Sequence, residues 1–283
     1  STSNYSVMVG GQNSETEGDY SIISGGYSHF IDDPAQYSAI IAGYNNEVDN
    51  DYSVIVGGRD NVMTDSSADH SAIIGGRYNS VTSSGSVAVG GQSNVIDAPL
   101  SVAVGGADNS LNGYSCVTLG GFHGDDAGKW GVVIMPAVNS SSSWDDGEAQ
   151  HKYATVCIET TDATPLALTS NATTQIYQYN VPSYVRINGA MYFKISVIAT
   201  VTGGGDTKSW TFEGVAKKGA TNSTLAFVGT PAKNVIASDT GASAWDVDLS
   251  LNTSQGVIQV DCTGAASTTI RWVAQYSMTD VGF

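Results

Sequence analysis

The sequence has 283 residues, of which only 13% are charged, and it is rich in Gly, Ser, Thr, Asn and Val. This composition is typical of β-structure with many tight turns and argues against long helices. A net charge of −16 with only 11 Lys and Arg excludes nucleic-acid binding, which needs a basic face. The sequence has no run of 18 apolar residues, which excludes membrane insertion.

Acidic residues are concentrated near the start, where residues 1–70 contain eleven Asp and Glu against one Arg. The pattern favours solubility, with a cation-binding surface as the alternative. Cys116, Cys157 and Cys262 are odd in number and far apart, so they are interpreted as small buried hydrophobes rather than a disulfide framework or zinc site. No cofactor and no metal are expected. Because the sequence begins with Ser rather than Met, we expect a processed chain or a fragment.

Residues 5–121 contain eight copies of a motif of about fifteen residues, such as "YSVIVGGRDN" and "GSVAVGGQSN". The last glycine of each corner falls at positions 11, 26, 43, 58, 76, 91, 106 and 121. Extra residues occur only between copies, as in "MTDSSADH". A period this short corresponds to one coil of a solenoid, so we predict a parallel β-roll over residues 1–121.

Each copy predicts a short strand, a glycine corner, a second short strand and a variable turn. An amide ladder is expected from the Asn four positions after the first corner glycine, at Asn46, Asn61, Asn79, Asn94 and Asn109, with His29 and Ser14 before them. Apolar residues two positions later should point inward: Ile31, Val48, Met63, Val81, Ile96 and Leu111. A tyrosine ladder (Tyr5, Tyr20, Tyr37, Tyr52, Tyr114) favours packing between coils over sugar binding.

The first strand of each copy is apolar on both faces. We expect residues such as Val54 and Val56 to fill the coil and the residue between them, Ile55, to face outward. An outward apolar stripe that runs along seven coils is close to the largest apolar patch that a soluble monomer usually exposes. The stripe therefore predicts a homotrimer. The expected trimer interface is Met8, Ile23, Ile40, Ile55, Ile73, Ala88 and Ala103.

The repeat over residues 5–121, written "S-V-A-V-G-G-x-x-N-x-V", resembles the left-handed parallel β-roll of trimeric autotransporter adhesin heads. Similar repeats occur in bacteriophage tail fibres and receptor-binding proteins. The resemblance implies three chains packed around one axis. The sequence prefers Gly-Gly and Asn where adhesin heads more often carry Gly with Ala, and this difference favours a phage protein.

Residues 122–164 form the predicted connector, with one apolar strand at 132–135 and a Ser-rich linker at 140–143. Ligand-type residues cluster here: His123, Asp125, Asp126, Asp145, Asp146, Glu148 and His151. "DDAGKWG" lacks the alternating acids of a calcium loop and "GDDAGK" lacks the first glycine of a P-loop. The cluster is therefore interpreted as solvated turns, with a cation site as the alternative.

Residues 165–283 predict an antiparallel β-sandwich, jelly-roll-like, with Trp210, Trp245 and Trp272 in the core or an interface. The predicted strands are 175–180, 190–201, 209–217, 224–229, 244–252, 257–262 and 268–278. The order of "SWTFEGVAKKGATNSTLAFVG" and "TIRWVA" resembles the C-terminal β-sandwich of phage tail fibre proteins. A β-roll followed by this cap would be the layout of a fibre tip.

We therefore predict a trimeric, non-enzymatic part of a phage tail fibre, located in the virion tail, that associates with other tail proteins. Its C-terminal domain would contact a host cell-surface receptor, either glycan or protein. Alternatives are a bacterial trimeric surface adhesin head, a polysaccharide depolymerase tailspike and a purely structural fibre. The expected receptor-binding residues lie in three loops: Gly203, Gly204, Asp206, Trp210, Asn222, Asp239 and Trp245.

Catalysis is not expected, because the paired acids at 32–33, 125–126 and 145–146 are adjacent in sequence and point apart. The insertions between coils add at most three residues and would build no cleft. There is no G-x-S-x-G motif, and the four histidines have no evident nucleophile partner.

Overall fold

The computed structural model describes residues 5–33, 35–65, 68–137, 149–173 and 179–282. The fold is all-β, with a parallel β-solenoid of eight coils followed by antiparallel sheets, which confirms that part of the predicted fold class. The chain divides into two compact units, residues 1–128 with 134–141 and residues 129–133 with 142–283. Among the described residues, no helix is long and apolar enough to cross a membrane.

The solenoid has two parallel sheets, because each of the first seven coils contributes one strand to each and the eighth contributes a strand to the first sheet alone among the described residues. The eight strands of the first sheet are β1 (Val7–Val9), β3 (Ile22–Ser24), β5 (Ala39–Ile41), β7 (Val54–Val56), β9 (Ala72–Ile74), β11 (Val87–Val89), β13 (Val102–Val104) and β15 (Val117–Leu119). The seven of the second are β2 (Glu15–Thr16), β4 (Phe30–Ile31), β6 (Glu47–Val48), β8 (Val62–Met63), β10 (Ser80–Val81), β12 (Val95–Ile96) and β14 (Ser110–Leu111).

The predicted amide ladder is present and buried. The backbone N–H of Asn61 donates to Oδ1 of Asn46 at 3.0 Å, and Asn79 donates in the same way to Asn61 at 3.0 Å. Along the later coils the side-chain amides also bond to one another, as between Asn109 Nδ2 and Asn94 Oδ1 at 2.8 Å. Each buried amide thus joins its own coil to the preceding one, which removes the cost of burying it.

A second ladder, of serines, precedes the first strand of each coil. The N–H of Ser53 donates to Oγ of Ser38 at 3.1 Å, while Oγ of Ser38 donates to the carbonyl of Asn50 at 2.6 Å. These serines are almost completely buried, at 2% exposure for Ser38 and Ser53. In the eighth coil Cys116 takes the serine position, its N–H donating to Oγ of Ser101 at 3.0 Å.

The serine ladder reverses the predicted faces of the first strand. Because side chains alternate, the buried Ser53 places Ile55 inside the coil and Val54 and Val56 outside. Ile55 is 0% exposed, whereas Val56 is 39% exposed. The predicted interface residues Ile23, Ile40, Ile55, Ile73, Ala88 and Ala103 are core residues, and of that set only Met8, in the first coil, is exposed. The prediction failed because both faces of the strand are apolar, and the serine hydroxyls that pair between coils decide which of them is buried.

The apolar residues exposed on the first sheet form a continuous surface, called here the aliphatic face. It consists of the third position of each strand and the half-buried first position beside it. The exposed members of the third column are Val9, Ile41, Val56, Ile74, Val89, Val104 and Leu119. Stacked coils repeat at about 4.8 Å, so the face is about 34 Å long. The apolar stripe that the sequence predicts therefore exists, on the opposite side of the strand.

The second unit is built around a large antiparallel sheet in the order β17 (Ala149–Thr160), β25 (Ile270–Val281), β19 (Gly189–Val201) and β20 (Thr207–Lys218). Beyond β20 lie β21 (Ala226–Phe227) and β22 (Ala232–Ser238), both paired with it. A smaller sheet has the order β18 (Leu166–Ala167), β24 (Val257–Thr263), β23 (Asp246–Asn252). Strand β16 (Val132–Pro136) precedes β17, and short 3₁₀ helices span Asn222–Thr224 and Thr240–Ala242.

The structure places more of the chain in the second unit than the predicted boundary at residue 165. Strand β17 lies within the predicted connector, yet it pairs along its whole length with β25. Its alternation is weak in the sequence because Gln150 and Lys152 point inward, where Lys152 forms a buried ion pair with Asp280 at 2.6 Å. The exposed strand β22 was also missed. The predicted strand at 175–180 falls largely on residues 174–178, which lie outside the described residues.

Replacing Ile55 by Asp should prevent the solenoid from folding, because an unpaired carboxylate would be buried among apolar side chains. Val56→Asp should fold, because that side chain points outward. Circular dichroism and thermal unfolding of the two variants would measure the difference. A native spectrum for Ile55→Asp combined with an unfolded Val56→Asp would restore the original assignment of faces.

The second sheet of the solenoid carries a local concentration of acid that should make stability depend on pH. Burial, followed by the charges of Glu47 and Asp32, raises the pKa of Asp49 to about 6. The folded state therefore binds a proton more tightly than the unfolded chain, and stability falls as pH rises from about 4 to about 6. We expect Asp49→Asn to flatten this fall in thermal unfolding measured between pH 4 and 7. Asp97→Asn, which removes an exposed carboxylate, is the control and should keep the wild-type slope.

Candidate functional site: the outer face of the antiparallel sheet

Strand alternation gives the large sheet of the second unit one apolar face and one exposed face. In β19 the residues Met191, Phe193, Ile195 and Val197 are buried, while the residues between them are exposed. The buried face contacts a tryptophan cluster, in which the ring of Trp272 lies 5.7 Å from Trp210 and 6.1 Å from Trp245. The exposed side is called here the outer sheet face.

A row of uncharged polar side chains crosses the middle of the outer sheet face. The strand register places its members directly opposite one another on five neighbouring strands: Thr155, Gln275, Ser196, Thr211 and Asn234. Cross-strand partners of this kind have Cβ atoms about 4.5–5.5 Å apart. The row therefore offers a line of hydroxyl and amide groups that can both donate and accept hydrogen bonds.

An apolar step lies beside this polar row. Val273, Ile198 and Ser209 are opposite one another in the adjacent row. A β-bulge between Ser209 and Trp210 shifts the register of β22, and Ile236 on that strand is 62% exposed. Together the two rows line a groove of about 500 Å³. The groove thus combines an apolar row with a row of uncharged polar side chains.

Two tyrosines stand on the other side of the polar row. Tyr153 and Tyr192 are each 41% exposed on the outer sheet face. The hydroxyl of Tyr192 donates to Oε1 of Glu213 at 2.7 Å, and this bond raises the pKa of Tyr192. Tyr153 makes an edge contact with His151 at 4.5 Å between ring centres. These contacts hold two aromatic rings at the margin of the face.

The chemistry of the groove favours binding of an uncharged polar ligand. Its lining combines hydroxyl and amide groups with aliphatic walls and, among the residues described, contains no charged side chain. Binding sites commonly combine apolar walls with a few polar groups that orient the ligand. A saccharide offers hydroxyls for the polar row and C–H surfaces for Ile198, Val273 and Ile236. The nearest cation that the strand register shows on this side is Lys194, which lies one row away from Ser196 and opposite Glu213, outside the lining of the groove.

The loops predicted to bind a receptor lie at both ends of the sheet rather than at one tip. Gly203, Gly204 and Asp206 are in the β19–β20 turn, and Oδ2 of Asp239 accepts from the N–H of Thr207 at 2.9 Å, so these loops meet. Asn222 is at the other end of β20, where its Oδ1 accepts from Lys218 Nζ at 2.9 Å.

Trp210 and Trp245 are 1% and 2% exposed. Their prediction as receptor contacts is corrected, because both rings fill the core. Alternation in β19 and β20 could have revealed the outer sheet face, whereas the partnership with β17 could not be read from the sequence.

The tyrosine ladder of the solenoid is a stack of rings. Ring centres of Tyr5, Tyr20, Tyr37, Tyr52 and His70 follow one another at 4.9–5.2 Å, with interplanar angles of 5–14°. Each ring therefore covers the face of the next, and sugars stack on ring faces. This geometry supports packing between coils over sugar binding.

The acidic cluster of the predicted connector is partly a structural cap. The Asp126 carboxylate is buried and accepts from the N–H groups of Asn112, Gly113 and Gly128 at 2.7–3.1 Å. It thereby satisfies donors at the end of the solenoid. Asp145, Asp146 and Glu148 lie outside the described residues. Within the described ranges, no group of three or more His, Cys, Asp or Glu is placed to hold a metal ion.

Cys116, Cys157 and Cys262 form no disulfide, and Cys116 and Cys262 are buried. Burial raises the pKa of Cys262 to about 12, which disfavours the reactive thiolate. Cys116 and Cys262 are thus buried as predicted, whereas Cys157 is half-buried.

A scan of the sequence against protein-family models gives no match, and a search of the curated proteins gives none. Solved structures that are similar include the tailspike protein of Acinetobacter phage vB_ApiP_P1, with 9% identity and a TM-score of 0.28. Another is the tailspike protein gp49 of Acinetobacter baumannii bacteriophage Fri1, described as a capsular polysaccharide depolymerase, with 8% identity and a TM-score of 0.27. Each match covers 98% of this chain and 56–58% of the tailspike, so the chain spans little more than half of their length.

The prediction that the chain is not an enzyme is contradicted by this comparison. One of the similar structures is described as a capsular polysaccharide depolymerase. The missing nucleophile motif and the short insertions do not by themselves exclude catalysis. The depolymerase description applies to that tailspike, and the non-enzymatic interpretation is withdrawn.

Proposed function

We propose that the chain is part of a phage tail attachment protein and that its outer sheet face binds an uncharged glycan of the host surface. The observation that carries the proposal is the groove, whose polar row of Thr155, Gln275, Ser196 and Thr211 lies beside an apolar row that includes Ile198 and Val273. The repeat pattern resembles phage fibre proteins, and this resemblance supports the virion tail as the location.

The solenoid would act as the stiff element that carries this face. Every coil is joined to the next by backbone bonds and by buried Ser and Asn ladders. In such a stack each coil packs only against its neighbours, and no coil needs a separate core of its own. Other virion tail proteins are the proposed partners of this element.

We further propose that three chains associate through the aliphatic face. Its exposed column includes Ile41, Val56, Ile74 and Val104, each 39–46% exposed. An apolar surface about 34 Å long and two columns wide is comparable to the largest apolar patch that a soluble monomer usually exposes. A second copy of the same face is an occupant of equal length and matching apolar character.

Glycan binding can be tested with Ser196→Arg, which places a long charged side chain in the middle of the polar row. We expect at least a tenfold loss of affinity for neutral host-surface polysaccharide, measured by biolayer interferometry with the intact chain. Thr253→Arg makes the same change in an exposed turn after β23 and should bind normally. Equal binding by Ser196→Arg and wild type, or no binding by wild type, would refute the proposal. Sizing the recovered polysaccharide would reveal cleavage.

Assembly can be tested by light scattering, which should give a mass of about three times 29.3 kDa. The double variant Val56→Asp/Val89→Asp should fold and scatter as a monomer, because the two outward carboxylates would repel their copies across the axis. Thr64→Asp, which alters an exposed residue after the second strand, should remain trimeric. A stable wild-type monomer would overturn the proposed association.

A further inference from the structure

The solenoid has a distinctive placement of positive charge. Residues 1–128 contain fifteen Asp and Glu but only two cationic side chains, Arg59 and Arg77. Bridges between coils align Arg59 with Arg77 in adjacent coils, in the column that follows the glycine corner. Like charges directly opposite each other on neighbouring strands repel. Of the two, Arg59 has a carboxylate partner, Asp60.

Arg59 is held in a fixed position by its neighbours. Its Nε donates to Oδ2 of Asp60 at 2.7 Å, and Asp60 also accepts from Asn45 Nδ2 at 2.8 Å. The guanidinium carbon lies 5.5 Å from the ring centre of Tyr44 and 6.0 Å from that of Tyr78. Contacts on both sides therefore orient this side chain, although it is well exposed to solvent.

Arg77 has an uncharged partner instead. Its Nε and Nη2 both donate to Oε1 of Gln92, at 2.9 and 2.5 Å. Across the described part of the chain, no carboxylate forms an ion pair with it. Arg77 thus has an orienting contact but keeps an uncompensated charge at the surface.

These side chains form a line along the solenoid axis. The column runs Tyr27, Tyr44, Arg59, Arg77 and Gln92, with each residue bridged to the next. At about 4.8 Å per coil the line is about 19 Å long. Tyr27 and Tyr44 stack at 5.2 Å, which extends the line with aromatic surface. The name arginine column is used here for part of this line, Tyr44, Arg59, Arg77 and Gln92, together with Tyr78, whose ring contacts Arg59.

We propose that the arginine column binds a carboxylate-bearing saccharide chain lying along the solenoid. A guanidinium recognises a planar carboxylate through paired N–H groups, and such charge-assisted bonds are stronger than neutral ones. The linear repeat of the column suits a linear polymer, and the tyrosine rings offer apolar edges to the sugar rings. The acidic remainder of the solenoid repels polyanions, the proposed ligand included, and so confines its binding to this line.

This site is separate from the uncharged groove of the second unit, and the proposal does not depend on it. The two surfaces select different ligands, because the groove has no cation and the column has two. Binding at each can therefore fail or succeed independently.

The test uses the intact chain and oligogalacturonate, a polymer with one carboxylate per sugar, titrated by calorimetry at low salt. Arg77→Gln should weaken binding about tenfold, and Arg59→Gln/Arg77→Gln should abolish it. Arg271→Gln makes the same substitution at an exposed, ion-paired arginine of the second unit and should leave affinity unchanged. Carboxyl-reduced oligosaccharide should not bind.

The proposal would be overturned if wild type did not bind oligogalacturonate, if the double variant kept its affinity, or if the carboxyl-reduced oligosaccharide bound equally well. Equal affinity for polyphosphate of matched length would also overturn it, because the column would then recognise negative charge without selecting a carboxylate. Thermal unfolding of each variant, expected to match wild type, confirms that a loss of binding is local.

Discussion

The structure of the solenoid depends on hydrogen bonding between successive coils through buried serine and asparagine side chains. A coil of about fifteen residues is too small to enclose a core of its own. Stacking solves this, because each Ser or Asn hydroxyl or amide closes a bond with the adjacent coil and brings its apolar neighbours into register. The register then fixes every column, since a slip by one residue would expose the buried side chains.

Register also decides what the surface can do. A residue type that recurs at one position becomes a continuous line, and lines of tyrosine, acid, aliphatic and arginine side chains all arise in this way. A line of rings becomes a stack with covered faces, as from Tyr5 to His70. A line of aliphatic residues becomes a face that favours association with another copy. A pair of aligned arginines becomes a local positive charge on an otherwise acidic solenoid.

The sequence predicted the features that follow from repetition and missed those that follow from partners. The glycine corners, the asparagine ladder and the inward residues of the second strand could be read directly from the period. The faces of the first strand were reversed because both are apolar, and the buried one is decided by serine hydroxyls that pair between coils. Strand β17 was missed because Lys152 points inward, and only its pairing with Asp280 makes that tolerable.

The candidate site in the second unit also could not be predicted from the sequence, because it depends on which strands are partners. Its polar row joins Thr155, Ser196, Thr211 and Gln275, which are far apart in sequence and adjacent only through strand register. Composition directed attention to Gly- and Asp-rich loops, and two of the residues chosen there, Trp210 and Trp245, support the sheet from inside. Loops can be ranked by composition, but a sheet face is defined by its pairing. In a fold made almost wholly of strands, the extended surfaces suited to extended ligands are therefore those that a single sequence reveals least.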